Sequence, residues 1–546
     1  MILLLPAACL LTAAALVVGL GFITPARISG TRLGASRLAR LAVAAPALAW
    51  LAAVTGALGA WAAALLLRQS IPLTLQLAYW QPPTLFPASP ALLLDQTAWA
   101  FLLAVGTLCL AALLTVAVPD SQPGMPRASL GDLTGILALS AAALLAVISA
   151  NLLTLLLAWA ALDLLGLFTW LSRSRRRLHS RQSVMAYSTR SIGLLLLVVG
   201  AINTHAAGLS LSVTLIRSPL APYLLAAAGL RLGVLPPGAL PAVQAPVQRG
   251  LRSLLLLAPA AADLLLAARV AQAGLDGAAL PVVLALSGLA ALYGGLSFAR
   301  AADDLEAHPH WLPAIGALAV AAAARAEPAA SLAWSMALLL PGGVILLLSA
   351  RARGLLPITL LGALAISALP FTPTWVGATI YGRPFSTAQL LLFTGQALTL
   401  AGYLRMALRR HPDLNRADRW VWAIYPWGLA LPALTSYAIA WWTFPAADGR
   451  PGWLSALPGM IIAIAGLVLV FVRRRVRRAP ADRLLVWLRT GLSFNWFYRL
   501  FWRIYFGLVR VFALTSRLLE GPAGVLWAIL LLVLLATVFI QLGSGG

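Results

Sequence analysis

Apolar residues dominate the chain in runs of about 20, and short segments with arginine, proline and glycine separate them. A helix of that length crosses the roughly 30 Å hydrocarbon core of a bilayer. The pattern therefore predicts an all-α polytopic membrane protein with about sixteen transmembrane helices. We predict spans at residues 2–24, 41–67, 97–118, 130–149, 151–171, 186–206, 219–236, 252–272, 280–300, 311–325, 329–350, 355–377, 385–408, 420–443, 454–472 and 522–543.

Arginines between the spans predict the orientation of the chain. Clusters follow the first, fifth, seventh, eleventh, thirteenth and fifteenth spans, and the cluster after the seventh contains Arg249 and Arg252. Loops after even-numbered spans carry almost no charge. Because basic loops stay in the cytoplasm, the odd-numbered loops are predicted to be cytoplasmic and both termini to lie on the opposite side of the cell inner membrane.

The charge balance is strongly basic, yet it does not predict a nucleic-acid partner. The net charge is +24, and all 39 basic residues are arginines. Since these arginines cluster in loops between apolar runs, topology and contact with anionic lipid account for them. Between the last two spans, residues 483–521 place arginines every few positions among aromatic and aliphatic residues. This pattern is typical of an amphipathic helix lying in the membrane interface, for anchoring or for docking a partner subunit.

Three ionisable residues fall inside predicted spans, and they are the candidate functional residues: Asp163, Arg231 and Asp263. Intramembrane charges usually pair with one another and mark ion pathways, although a purely structural ion pair is the alternative. Two further charges, Asp95 and Arg190, are predicted to lie at the mouths of helices.

Motifs of soluble enzymes are missing from the sequence. It has no nucleophile elbow, phosphate-binding loop, dinucleotide-binding glycine pattern or paired metal ligands. His308 and His310 stand two apart beside a proline, which is typical of a solvated turn. We therefore expect no catalytic residue, no metal and no bound cofactor in this chain.

Five segments, taken in order, give the chain a resemblance to a known family. They are LLLDQTAWAFLLAV, SANLLTLLLAWAALDLL, GLRLGVLPPGALPAV, GLAALYGGLSFARAADDLE and, more weakly, ALPFTPTW. Their order and spacing over residues 90–380 resemble the third, fifth, seventh, ninth and twelfth helices of the antiporter-like membrane subunits of respiratory complex I, Mrp-type cation antiporters and membrane-bound hydrogenases. The seventh helix of that family is broken, and Pro236 and Pro237 match the break.

The resemblance implies two inverted repeats of five helices each. It predicts N-terminal helices over 1–129, a first repeat over 130–275, a second repeat over 276–410 and C-terminal helices over 411–546. It also implies partner membrane subunits and the movement of protons or monovalent cations.

The family's relay residues are nearly all replaced in this chain. The glutamate of the fifth helix becomes Ala160, and Asp163 follows one turn later on a similar face. Arg231 replaces the lysine of the seventh helix, and Asp263 stands beside the position of the eighth-helix lysine. After the ninth helix, Asp304 and Glu306 are the matching helix-mouth charges. Predicted spans ten to thirteen have no ionisable residue near their middle.

An arginine cannot do what the replaced lysine does. A buried lysine can release a proton, whereas arginine, with a pKa above 12, stays charged. The sequence therefore favours a membrane subunit of a complex I-like NADH:quinone oxidoreductase, an Mrp-type antiporter or a related assembly, with a degenerate, structural role as an open possibility. The alternative is a stand-alone secondary transporter or a membrane assembly protein.

Overall fold

A computed structural model describes most of the chain. The described residues are 1–22, 35–81, 88–116, 118, 128–173, 177–238, 247–350, 352–382, 386–409, 419–443, 456–472, 486, 488, 495–520 and 529–537.

The first half of the chain forms eight helices over the first eight predicted spans. A 3-10 turn at Ile2–Leu4 leads into the first of them. The helices are α1 (Leu5–Gly21), α2 (Ala35–Leu66), α3 (Gln96–Thr115), α4 (Leu130–Val147), α5 (Leu152–Arg173), α6 (Arg177–Ala206), α7 (Ala221–Arg231) and α8 (Arg249–Val270).

The second half of the chain also consists mainly of helices. Its helices are α9 (Ala279–Arg300), α10 (Asp304–Ala324), α11 (Pro328–Leu347), α12 (Leu356–Ala365), α13 (Thr387–Ala407), α14 (Arg419–Thr443), α15 (Ala456–Val472) and α16 (Asn495–Glu520). The predicted twelfth span is interrupted, because α12 stops at Ala365 and a 3-10 helix follows at Val376–Tyr381.

Nine helical segments in the described part of the chain are long and apolar enough to cross a membrane. The prediction of a polytopic helical membrane protein is therefore confirmed, while the count of sixteen crossings stays a prediction. Three helices form the centre of the bundle, since α3, α8 and α11 are buried along almost their whole length. The outer helices, such as α1 and α6, leave apolar side chains exposed where lipid would surround them.

A short β-hairpin departs from the all-helical prediction. Strands β1 (Leu73–Gln76) and β2 (Ala91–Leu94) pair antiparallel, with Leu73 opposite Leu94. β2 buries Leu92 and Leu94 and leads directly into α3. Four-residue strands within an apolar chain carry too little period-2 pattern to be read from the sequence.

Four residues predicted in solvated segments are buried instead. His308 and His310 were expected in a turn, but both lie inside α10, with 0% and 7% of their surfaces exposed. Arg249 and Arg252, expected in a loop, form the first turn of α8 and are also buried. Both helices begin before their apolar runs, so the hydropathy pattern placed the starts of these helices too late in the sequence.

Two compact units divide the chain, Met1–Leu492 and Ser493–Gly546. The repeats predicted over 130–275 and 276–410 both lie within the first unit, and their inverted relationship stays a prediction. The second unit contains α16, which falls in the predicted amphipathic segment 483–521. Apolar side chains of α16, including Phe506 and Phe512, are exposed within that unit.

Candidate functional site

The end of α7 positions the central residue of the site. Arg231 is the last helical residue, and the chain then turns through Gly233, whose φ is 71°. Leu235 folds back onto the helix, where a Cβ at Gly229 would lie 2.6 Å from its side chain. Pro236 and Pro237 follow in this turn, so the predicted helix break is present but begins before the prolines.

Arg231 joins α7 to α5 and α8 through two carboxylates. Its Nη1 and Nη2 donate to Oδ2 and Oδ1 of Asp163 over 2.5 and 3.1 Å, a two-point geometry that fits the planar guanidinium. Its Nε donates to Oδ1 of Asp263 over 2.7 Å. We call Asp163, Arg231 and Asp263 the Arg231 cluster. The sequence led us to expect the contact between Asp163 and Arg231, and Asp263 completes the set.

Two further contacts fix the arginine in place. Its guanidinium carbon lies 4.2 Å from the centre of the Trp159 ring, within the range of a cation–π interaction. Nη1 also donates to the backbone oxygen of Arg190 over 3.2 Å. On α6, a Cβ at Gly193 would lie 2.6 Å from Cγ of Arg231, so the glycine is what lets α6 approach.

The cluster is removed from water almost completely. The side chains of Arg231, Asp163 and Asp263 expose 0%, 3% and 2% of their surfaces. Ions buried this deeply lose several kcal/mol of hydration each, and only close, well-oriented partners repay the loss. All three ionised groups together carry one net negative charge. A fourth group, Arg190, lies beside them and brings the sum to zero.

Arg190 corrects a prediction, since it is not at a helix mouth. α6 begins at Arg177 and not near 186, which places Arg190 in the middle of the helix with 8% of its surface exposed. It lines a small cavity together with Asp163. The polar residues before 186 concealed the true start of this helix in the sequence.

Asp95 lies outside the Arg231 cluster and has its own partner. It caps α3 by accepting a hydrogen bond from the backbone N–H of Ala98 over 2.9 Å. The Arg269 side chain, from α8, donates to both of its carboxylate oxygens, with Nη2 at 2.7 Å. Burial raises the pKa of Asp95, but the hydrogen bonds and charge of Arg269 outweigh burial and hold that pKa below its usual value.

Sequence reasoning missed Arg269, which stands at the end of an apolar run and looked like an ordinary helix terminus. Its side chain is 2% exposed, so it is a buried charge as Arg231 is. The signal that could have found it is its partner, because an aspartate at one helix mouth predicts an arginine or lysine nearby.

The predicted mouth charges after α9 serve the start of α10. Asp303 is the N-cap residue and accepts from the backbone N–H of Glu306 over 2.8 Å. Glu306 in turn accepts from the backbone N–H of Ala302 over 2.9 Å. Asp304 is the first residue of α10, and its side chain lies outside the described residues. No contact in the described part of the chain joins Glu306 to the Arg231 cluster.

The residue types of the cluster limit its chemistry. Carboxylates can take up and release protons, whereas the guanidinium between them remains charged at every physiological pH. Among the described residues, no group of three His, Cys, Asp or Glu side chains could hold a metal ion. The cluster can thus store and balance charge, and any proton that moves through it has to pass by the carboxylates or by water.

Comparisons with known proteins give structural neighbours only. No family model matches the sequence, and no curated protein matches it. A chain of the Mrp complex from Dietzia sp. superposes with a TM-score of 0.68 at 18% identity, covering 97% of this chain and 63% of that one. A chain of the membrane-bound sulfane sulfur reductase, an archaeal respiratory membrane complex, gives 0.65 at 13% identity, covering 98% and 100%.

A third neighbour is a chain of respiratory complex I from Thermus thermophilus, with a TM-score of 0.56 at 16% identity over 84% of this chain and 98% of that one. The chain spans less than two thirds of the length of the Mrp chain it matches. Identities this low establish the fold and leave the activity open. The chain therefore has the fold that these three chains of membrane complexes share.

Proposed function

We propose that the chain is an integral membrane subunit of a hetero-oligomeric complex of the complex I or Mrp type. The observation that carries this proposal is the likeness of fold over almost the entire chain to subunits of three such assemblies. Partner membrane subunits and the lipid bilayer are its expected surroundings. The arginine pattern supports the cell inner membrane, with both termini on the non-cytoplasmic side.

Within such a complex, the Arg231 cluster holds charge and braces the first repeat. Arg231 is bound by carboxylates from two other helices and stacks on Trp159, so one residue ties α5, α7 and α8 together. Because its guanidinium keeps its proton, the cluster can respond electrostatically to a neighbouring subunit. It cannot hand a proton through position 231 as a lysine would.

Three neutral hydrogen bonds join α13 to the interrupted α12 region, within the predicted second repeat. Tyr381 donates to Oε1 of Gln396 over 2.7 Å, and Nε2 of Gln396 donates to the backbone oxygen of Ile366 over 3.0 Å. Nε2 of Gln389 donates to the backbone oxygen of Ile380 over 3.2 Å. These three contacts carry no charge, and the buried Arg325, which follows α10, also donates to the backbone oxygen of Ile380. Contacts of this kind hold the helices together, which supports a structural role for the second repeat.

The chain is accordingly a scaffold and coupling subunit, and transport through its own relay is not its main role. It binds no cofactor, and the redox chemistry of an NADH:quinone oxidoreductase-type assembly would reside in partner subunits. Protons or monovalent cations remain the ions that the whole complex would move.

Purification from native membranes tests this proposal. A C-terminal affinity tag, mild detergent and mass spectrometry should recover several other multispan membrane proteins in fixed ratio to the tagged chain. An unrelated tagged membrane protein from the same cells is the control for carry-over. Recovery of the chain alone, at the mass of a monomer or a homo-oligomer in a detergent micelle, would favour a stand-alone transporter and reject the proposal.

A further inference from the structure

Helices α5 and α6 form most of the lining of a small cavity beside the Arg231 cluster, and Leu255 and Leu256 of α8 with Pro309 of α10 complete it. Its volume is about 30 Å³, which is room for one or two water molecules. Side chains spaced three and four apart on each helix form its walls, so each helix contributes one face. The polar and aromatic residues in these walls are Asp163, Trp170, Ser183, Tyr187 and Arg190.

The cavity points toward the ends of the two helices that are joined by the arginine-rich segment 173–181. Asp163 stands ten residues before the last residue of α5, Arg173, a distance of about 15 Å along the helix. Trp170 on α5 lies closer to that end than Asp163, and Ser183 on α6 lies closer to it than Arg190. Tyr187, between Ser183 and Arg190, is partly exposed. The cavity therefore extends from Asp163 and Arg190 toward this end of the two helices.

Arg190 dominates the chemistry of this cavity. Its Nε is buried and has no hydrogen-bond partner among the described residues, although a guanidinium has five N–H groups to satisfy. Asp163 also faces the cavity, but both of its oxygens already accept from Arg231. The group in the cavity that still needs a hydrogen-bond partner is therefore the cationic guanidinium of Arg190. The hydroxyl of Tyr187 can supply a second hydrogen-bond donor beside it.

We propose that this cavity is a water-filled vestibule that admits water and small monovalent anions and excludes cations, with Arg190 as the residue that sets the preference. The proposal stands on Arg190 and its cavity and does not depend on the proposed function. It implies that hydrated cations do not reach Asp163 along the α5–α6 face.

Charged thiol reagents test the proposal without any measurement of transport. The probe is Tyr187→Cys in a chain whose own cysteines are removed by Cys9→Ala and Cys109→Ala, held in lipid nanodiscs. The anionic methanethiosulfonate ethylsulfonate and the cationic ethyltrimethylammonium reagent are compared, each rate being divided by its rate with a free thiol. On the same helix, Leu195→Cys is the control, because Leu195 is 60% exposed on an apolar face.

We expect the anionic reagent to modify Tyr187→Cys about tenfold faster than the cationic one, and neither to modify Leu195→Cys. Adding Arg190→Gln should abolish the preference, whereas Arg190→Lys, which keeps the charge, should preserve most of it. Equal rates, a cationic preference or no reaction at position 187 would overturn the proposal.

The sequence places several arginines between α5 and α6, and these charges could produce an anionic preference by themselves, so salt provides a second measurement. At 1 M salt the Debye length is about 3 Å, and the field of exposed charges is screened. A preference set by the buried Arg190 should survive this salt concentration. Loss of the preference in salt, or its full retention in a folded Arg190→Gln variant, would reject the assignment to Arg190. The salt measurement also decides the matter if Arg190→Gln fails to fold.

Discussion

Replacing Arg231 with alanine removes the cation that is hydrogen-bonded to two buried carboxylates. Asp163 and Asp263 expose 3% and 2% of their side chains, and both accept hydrogen bonds from the guanidinium of Arg231. Without it, both carboxylates remain in the bundle, either charged without partners or forced to take up protons. The variant therefore loses stability from the groups left behind as well as from the missing contacts.

The size of the effect follows from the geometry. Breaking a buried ion pair costs about 3–5 kcal/mol, because it leaves an uncompensated buried charge. The contact of the guanidinium with Trp159 contributes up to about 2 kcal/mol more at a site shielded from water. Since most proteins are stable by only about 5–15 kcal/mol, we expect Arg231→Ala to be recovered in greatly reduced amount.

Two companion variants separate charge from packing. Arg231→Lys keeps the positive charge but reaches the carboxylates from one point, so we expect it to fold and assemble with a smaller loss of stability. The quadruple variant Arg231→Met, Asp163→Asn, Asp263→Asn and Arg190→Gln removes all four buried charges together. Because a neutral replacement of a buried ion network is often tolerated, it should be more stable than Arg231→Ala.

Thermal unfolding followed by tryptophan fluorescence, together with the yield of monodisperse protein in detergent, measures all of these variants. The expected order of stability is wild type, then Arg231→Lys, then the quadruple variant, with Arg231→Ala last. Wild-type yield and melting temperature for Arg231→Ala would refute the account, since they would mean that Asp163 and Asp263 need no cation.

Two further predictions concern the neighbours of the cluster and the second ion pair. Gly193→Ala should destabilise the protein, because its Cβ would lie 2.6 Å from Cγ of Arg231, while Gly19→Ala, where no atom lies within 4 Å, should be neutral in the same melting assay; equal effects would contradict this contact. Asp95→Asn should keep the helix cap but lose the ion pair with Arg269, at a cost of about 1.5–3 kcal/mol near pH 7. Since the folded pKa of Asp95 lies below its unfolded value of about 3.9, this stabilisation is complete above that pH and fades as the pH falls through the folded pKa. A difference from wild type that grows toward low pH would contradict this sign.

Hydropathy alone predicted the order of helices α1 to α15, since each formed over one apolar run. It failed at ends where polar residues continue a helix, as before Arg190 in α6 and around His308 in α10. Helix propensity and tertiary packing extend those helices beyond their apolar runs. A hydropathy scale measures transfer from water to lipid and therefore reports neither quantity.

The pairing of Asp163 with Arg231 was predictable, because charges inside a membrane need partners and family resemblance indicated which helices meet. The additional hydrogen bond from Arg231 to Asp263 was not predictable. Nothing in the sequence fixes the rotation of α8 about its axis that turns Asp263 toward Arg231. Arg269 was missed for the same reason, as its partner Asp95 lies 174 positions away.

Proton flux through the chain alone tests the central claim most directly. The purified chain is reconstituted into liposomes with an internal pH dye, a potassium diffusion potential is applied, and the rate is compared with that of protein-free liposomes. The account predicts rates equal to the protein-free control, because Arg231 holds its proton and cannot hand it on as a lysine would. Fast acidification that Asp163→Asn abolishes would contradict it, because protons would then cross this chain by way of the cluster.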